Sequence, residues 1–203
     1  MSNKKLLIQK FEIKEVLPCI TTPGYIRFIA LADNRLDDVI PIIFIQTPPG
    51  KANYIINENT ITLRMLDRNV TLYPSGKVSV TNTPDINEAN KFLEILKDLI
   101  NKAYEYYLKY GKPSKKEIEN IKKKSWTDLY KFLPKLNCGK CGFPICSSFA
   151  VSVFQGDSKL SECTPLLDPK FATNLEKLVN HFGRMFLASL GLDLISEKNN
   201  IKK

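Results

Sequence analysis

The sequence predicts an α+β protein: an antiparallel sheet backed by one long helix, followed by a small helical unit built around cysteines. Three observations predict it. Short β-branched or alternating runs separated by turn residues fill the first 85 positions. An apolar stripe of helical period runs from Ala89 to Ala103. Four of the five cysteines fall within the 26 residues from Cys138 to Cys163. The 203 residues are 43% hydrophobic and 25% charged, and 11 Phe and 8 Tyr can bury a core, which excludes a wholly disordered chain. The longest apolar run, Val39 to Ile45, contains Pro41 and is far short of the roughly 18 residues a membrane span needs. The basic start (Lys4, Lys5) leads only into Leu6-Leu7-Ile8, so no signal peptide and a cytoplasmic location are expected.

Strands are expected at Phe11 to Val16, Tyr25 to Leu31, the apolar run Ile40 to Ile45, Tyr54 to Ile56 and Thr60 to Met65, with a break at Thr47-Pro48-Pro49-Gly50. The clearest hairpin runs from Val70, Leu72 and Tyr73 through Pro74-Ser75-Gly76-Lys77 to Val78 and Val80. A helix follows, with Thr83 as cap and Pro84 in its first turn. Ala89, Phe92, Leu93, Leu96, Ile100 and Ala103 form the stripe, Tyr106, Tyr107 and Tyr110 extend it, and Gly111 ends it. Ser114-Lys115-Lys116-Glu117 is a capping-box pattern opening a second helix, whose stripe of Ile118, Ile121, Trp126, Leu129 and Phe132 closes at Pro134. A third, short helix is expected from Cys146 to Phe154, stopped by Gly156. A fourth starts at Asp168-Pro169 and buries Phe171, Leu175, Leu178, Phe182 and Phe186 before Gly191.

The cysteines read Cys138-x2-Cys141-x4-Cys146-x16-Cys163, with Cys19 standing alone. A cytoplasmic chain of this size needs no disulfides, so the cluster points to metal ligation. Three cysteines on one turn and a fourth after a helix can reach the irons of a cubane cluster, while Gly139 and Gly142 let the backbone curl around inorganic sulfur. The alternative is zinc, although zinc ribbons usually pair two Cys-x2-Cys knuckles.

The run Leu136-Asn137-Cys138-Gly139-Lys140-Cys141-Gly142-Phe143-Pro144-Ile145-Cys146, then Phe149-Ala150, Gly156 and Cys163-Thr164-Pro165, closely resembles a known iron-sulfur domain. That domain opens the large subunit of corrinoid iron-sulfur proteins and also occurs in the B subunit of Rnf-type electron-transport complexes. The resemblance covers about residues 133–167 and implies one [4Fe-4S] cluster, passing single electrons, on Cys138, Cys141, Cys146 and Cys163. Thr164 stands where many relatives have Pro, and their barrel and nucleotide-like domains have no counterpart here. A weaker resemblance links residues 60–100, through Thr60 to Leu63, Leu72 to Thr81, Glu88-Ala89 and Phe92-Leu93, to one half-repeat of the TATA-binding-protein fold.

Net charge is +9, and residues 101–140 alone hold 11 basic and 4 acidic side chains. A basic belt around residues 109–140 fits an acidic redox partner, a larger metalloenzyme complex or nucleic acid. Cys19 reads as a small buried hydrophobe and His181, the single histidine, as structural. Trp126 and Tyr106 to Tyr110 read as packing, and Asp37-Asp38 as a turn. Pro49-Gly50-Lys51-Ala52 is not a phosphate loop, no G-x-G-x-x-G occurs, and one histidine leaves no Ser-His-Asp arrangement, so hydrolysis and nucleotide-driven work have no support.

The expected organisation is an α+β domain at 1–112, a basic linker helix at 113–133, an iron-sulfur domain at 134–195 and a flexible tail at 196–203. The expected function is a [4Fe-4S] electron relay serving a partner metalloenzyme or corrinoid protein rather than an enzyme with its own substrate. A nucleic-acid-binding protein with a structural cluster, or a noncatalytic subunit or assembly factor, are the alternatives.

Overall fold

The computed structural model describes residues 5–194; the tail expected at 196–203 lies outside the described residues. The fold is α+β, as expected. The described residues form two compact units: 5–44 with 52–115, and 45–51 with 116–194.

In the first unit, strands β1 (Phe11–Pro18), β2 (Ile26–Ala32), β3 (Ala52–Ile55), β4 (Thr60–Met65), β5 (Arg68–Leu72) and β6 (Lys77–Thr83) form one sheet in the order β1-β2-β6-β5-β4-β3. Every pairing is antiparallel. The expected hairpin is present, with Val70 opposite Val80 and Leu72 opposite Val78, and Gly76 N–H donating to Tyr73 O at 3.0 Å. Alternation puts Phe28, Ala30, Val70, Leu72, Val78 and Val80 on the buried face, while Thr62, Thr71 and Ser79 occupy the other. The long helix, Ile86–Tyr110, packs against β6 and buries Ala89, Phe92, Leu93, Leu96, Ile100 and Ala103, the stripe read from the sequence.

Several expectations need correction. Ile40–Ile45 is not a strand but helix α1, with Ile43 N–H donating to Val39 O at 2.9 Å. A short, wholly apolar run carries no periodicity to separate strand from helix. Pro41 is the signal that could have decided it, since its missing N–H suits a helix first turn and interrupts a central strand. The long helix, α2, is capped by Asp85 rather than Thr83: Asp85 Oδ1 accepts the N–H of Asn87 at 2.8 Å and of Glu88 at 2.9 Å. Thr83 is instead the last residue of β6, fully buried. The buried stripe ends at Ala103, because Tyr106 and Tyr107 are half-buried and Tyr110 is exposed. Asn101, unnoticed in the sequence, is buried on α2 and ties down the preceding chain: its side chain accepts the N–H of Leu7 and Ile8 and donates to Ile8 O.

In the second unit the expected helix through Phe132 is two, α3 (Lys115–Lys122) and α4 (Trp126–Phe132). Ser125 breaks it by adopting extended backbone and forming a capping box with Asp128. Trp126 therefore stands at the first turn of α4, 39% exposed rather than packed. Helix α5 (Cys146–Gln155) ends at left-handed Gly156, as the sequence predicts. The last helix is likewise divided, into α6 (Ala172–Phe182) and α7 (Arg184–Ser189), by Gly183 at φ 78. Leu178, Phe182 and Phe186 are buried as expected, whereas Phe171 and Leu175 are half-buried. No described helix is long and apolar enough to cross a membrane.

Candidate metal centre

The turn between α4 and α5 departs from ordinary backbone at four places within eight residues: Lys135, Asn137, Gly139 and Gly142 all have positive φ. Glycine takes this conformation without the steric cost a side chain brings, and asparagine tolerates it better than most residues. Gly142 N–H closes the turn on Gly139 O at 2.9 Å. Asn137, unassigned by sequence reasoning, fastens the turn to α5: its Oδ1 accepts the N–H of Cys146 at 2.9 Å. No local pattern marks it, because Cys146 lies nine residues on and only the folded turn brings the two together.

Four elements bring the sulfurs together. Cys138 and Cys141 lie on the turn, Cys146 is the first residue of α5, and Cys163 joins two short 3-10 turns, Leu160–Glu162 and Thr164–Leu167. All four line one recess, whose other walls include Pro134, Leu136, Phe143, Phe149 and Pro165. Phe143 and Phe149 stand with ring centroids 5.8 Å apart. Behind them lies a core of Leu129, Leu133, Ala150, Val153, Leu160 and Leu166. Burial pushes the Cys163 thiol up, against the Leu166 backbone N–H, and the sulfurs of Cys141, Cys146 and Cys138 push it the same way as burial. The start of α5 adds the positive end of a helix dipole at Cys146.

A set of four soft thiolate donors, apolar walls and a backbone free to curl suits an iron-sulfur group. Among the described residues no three His, Cys, Asp or Glu side chains are gathered tightly enough to hold a single metal ion.

The other candidates lie elsewhere. Cys19 is half-buried rather than buried, in the first unit. Its Sγ is 3.4 Å from Thr21 Oγ1, and this hydroxyl, with the backbone N–H groups of Thr21, Asn82 and Thr22, lowers the thiol to about 6. Cys19 should therefore be alkylated by iodoacetamide with a rate that rises through about pH 6. Thr21→Val should move that rise to higher pH, as read by mass spectrometry of the labelled peptide. His181 is exposed on α6, 3.1 Å from Lys124 Nζ and between the Phe132 and Phe182 rings. Partial desolvation beside these rings and the Lys124 charge both hold its pKa below the usual histidine value. Asp37 and Asp38 form a surface turn, Asp37 bound by Arg35 and Asp38 by Lys112.

Residues 133–165 match the family described as "Putative Fe-S cluster". The acetyl-CoA decarbonylase/synthase complex subunit gamma of Methanocaldococcus jannaschii is 43% identical over 58 residues, 29% of this chain and 12% of that protein. The subunit gamma of the same complex in Archaeoglobus fulgidus is 39% identical over 64 residues, 29% of this chain and 14% of that protein. Subunit gamma 2 of Methanosarcina mazei is 42% identical over 52 residues, 25% of this chain and 11% of that protein. The chain thus spans between 11% and 14% of the length of these relatives. No solved structure gives a significant match. The family match over residues 133–165 supports an iron-sulfur, metal-binding segment there.

Proposed function

We propose that Cys138, Cys141, Cys146 and Cys163 hold one [4Fe-4S] cluster that passes single electrons to or within a larger metalloenzyme or corrinoid protein complex. The observation that carries this reading is the convergence of all four thiols on one apolar-walled recess within the matched segment. Relatives named as subunits of the acetyl-CoA decarbonylase/synthase complex support a place in a complex. The likeness to the corrinoid iron-sulfur and Rnf domains supports the four-iron type. In this reading residues 134–195 bear the cluster, and the α+β part at 1–112, with the basic stretch at 113–133, serves docking.

A bound cluster supplies a one-electron couple between its 2+ and 1+ states. The chain's own residues set the conditions for it. Cys146 and Cys163 would hold the cluster from the buried side, and Asn137 holds the turn against α5. Phe143 and Phe149 keep water from one flank. Low dielectric on that flank and backbone amides in the turn are the levers that set a potential.

The test is iron, sulfide and zinc content with EPR before and after dithionite, on anaerobically purified protein. The expected result is about four irons and four sulfides per chain, with a signal appearing on reduction. Zinc near one per chain without iron would overturn the reading.

A further inference from the structure

Exposure around the four sulfurs falls off in one direction. Cys138 is exposed and Cys141 half-buried, whereas Cys146 and Cys163 are 9% and 6% exposed. The inner side is closed by Phe149, Ala150 and Leu166, each at most 1% exposed. The recess therefore meets water along the turn that bears Cys138.

That turn is not an ordinary polar loop. Leu136, which lines the recess, is 49% exposed, and Ile145, next to Cys146, is 47% exposed. Single exposed aliphatic side chains are common, but here two stand on the one short segment that carries Cys138 and Cys141. The same segment carries Lys135 and Lys140, both exposed. No Asp or Glu occurs between Asp128 and Asp157, and Asp128 is occupied by Ser125 and Lys131. On the segments packed nearby, Glu162 adjoins Cys163 and Asp168 is paired with Lys170 at 3.5 Å. The turn itself presents exposed aliphatic side chains and two lysines but no carboxylate.

We propose that the turn spanning residues 135–145 is the docking face through which electrons pass at Cys138, and that its partner is a redox protein presenting carboxylates around an apolar centre. The inference rests on the four cysteines holding a cluster. One electron leaves the partner's reduced centre, which is oxidised, and reduces the centre held by the four thiolates; no bond forms or breaks. Desolvation of Leu136 and Ile145 supplies contact area, and Lys135 with Lys140 steers the encounter. The lysines of α3 are not part of this face.

The experiment uses the full-length holoprotein and, as probe, a reduced plant-type [2Fe-2S] ferredoxin, a small acidic donor. Stopped-flow reduction is compared for the native protein, Lys135→Glu/Lys140→Glu, Ile145→Ser and the α3 control Lys115→Glu/Lys116→Glu. Iron content is measured on each, and reduced methyl viologen serves as the small, protein-free donor. The expected result is a roughly tenfold loss of the ferredoxin rate at low salt for both turn variants, with less than about twofold for the α3 variant. Viologen rates and iron content should not change. Carbodiimide, which joins lysine amines to carboxylates, should link the probe at Lys135 or Lys140. An unchanged ferredoxin rate in an iron-replete turn variant, or cross-links confined to α3, would overturn this inference alone. Absence of iron and sulfide from the native protein would overturn it together with the cluster reading.

Discussion

Cys146→Ala should strip most of the iron from the protein. The native content expected is about four irons per chain, and the variant should retain less than about one, with the reduced EPR signal lost. The reason lies in where this sulfur sits. Cys146 begins α5, its N–H is held by Asn137, and it is one of the two buried cysteines of the recess. A missing thiolate there cannot be replaced by water without opening the wall formed by Phe149 and Phe143. Loss at the exposed Cys138 should be milder, because solvent or an added thiol can reach that corner. Cys19→Ala should leave the iron content whole, since Cys19 belongs to the other unit. Circular dichroism separates loss of a ligand from loss of fold: α5 and α6 should persist in Cys146→Ala. A variant with full iron would refute the assignment of Cys146 as a ligand.

Much of this arrangement was legible in the sequence, and the parts that were not share a physical cause. The hairpin at 70–81 carried its own turn chemistry and alternation, and the α2 stripe kept one period over four turns, so local signals sufficed. The cysteine spacing pointed to residues that the fold brings to one recess. Helix α5 was bounded correctly because Gly156 takes the left-handed backbone that stops it. The failures came where two local signals competed. Pro41 within an apolar run fits either an edge or a helix start, and Ser125 lies inside a stripe whose imperfect spacing was itself the trace of a break. Phe182 and Phe186 keep helical spacing across Gly183, so the sequence pattern is that of one helix where the fold has two. Asn137 was out of reach for a different reason: its partner, the N–H of Cys146, is nine residues away and only the folded turn brings them together.

The same limit applies most strongly to Thr47-Pro48-Pro49-Gly50, which reads in the sequence only as a break. In the structure residues 45–51 group with the helical unit and run against the end of α5, opposite the end that bears Cys146. Lys51 Nζ pairs with Asp157 at 2.5 Å, and a Cβ placed on Gly156 would meet Pro48 and Lys51 at 2.9 Å. Contact is closest at Gly50, where a Cβ would stand 2.5 Å from Gln155 Cα and 2.9 Å from Gln155 O. Those are backbone atoms in the last turn of a helix, so they cannot swing aside as a side chain would. Gly50→Ala should therefore destabilise the helical unit by about 1–3 kcal/mol through overpacking, although the residue is exposed. Lys51→Ala removes only a partly exposed ion pair and should cost under about 1 kcal/mol. Thermal unfolding followed by helical circular dichroism measures both, and Gly50→Ala should show the larger drop in midpoint. Because α5 joins this contact to Cys146, the same variant should also lose iron faster on exposure to air. Equal midpoints for Gly50→Ala and the native protein would mean that this segment moves away from α5 at no cost.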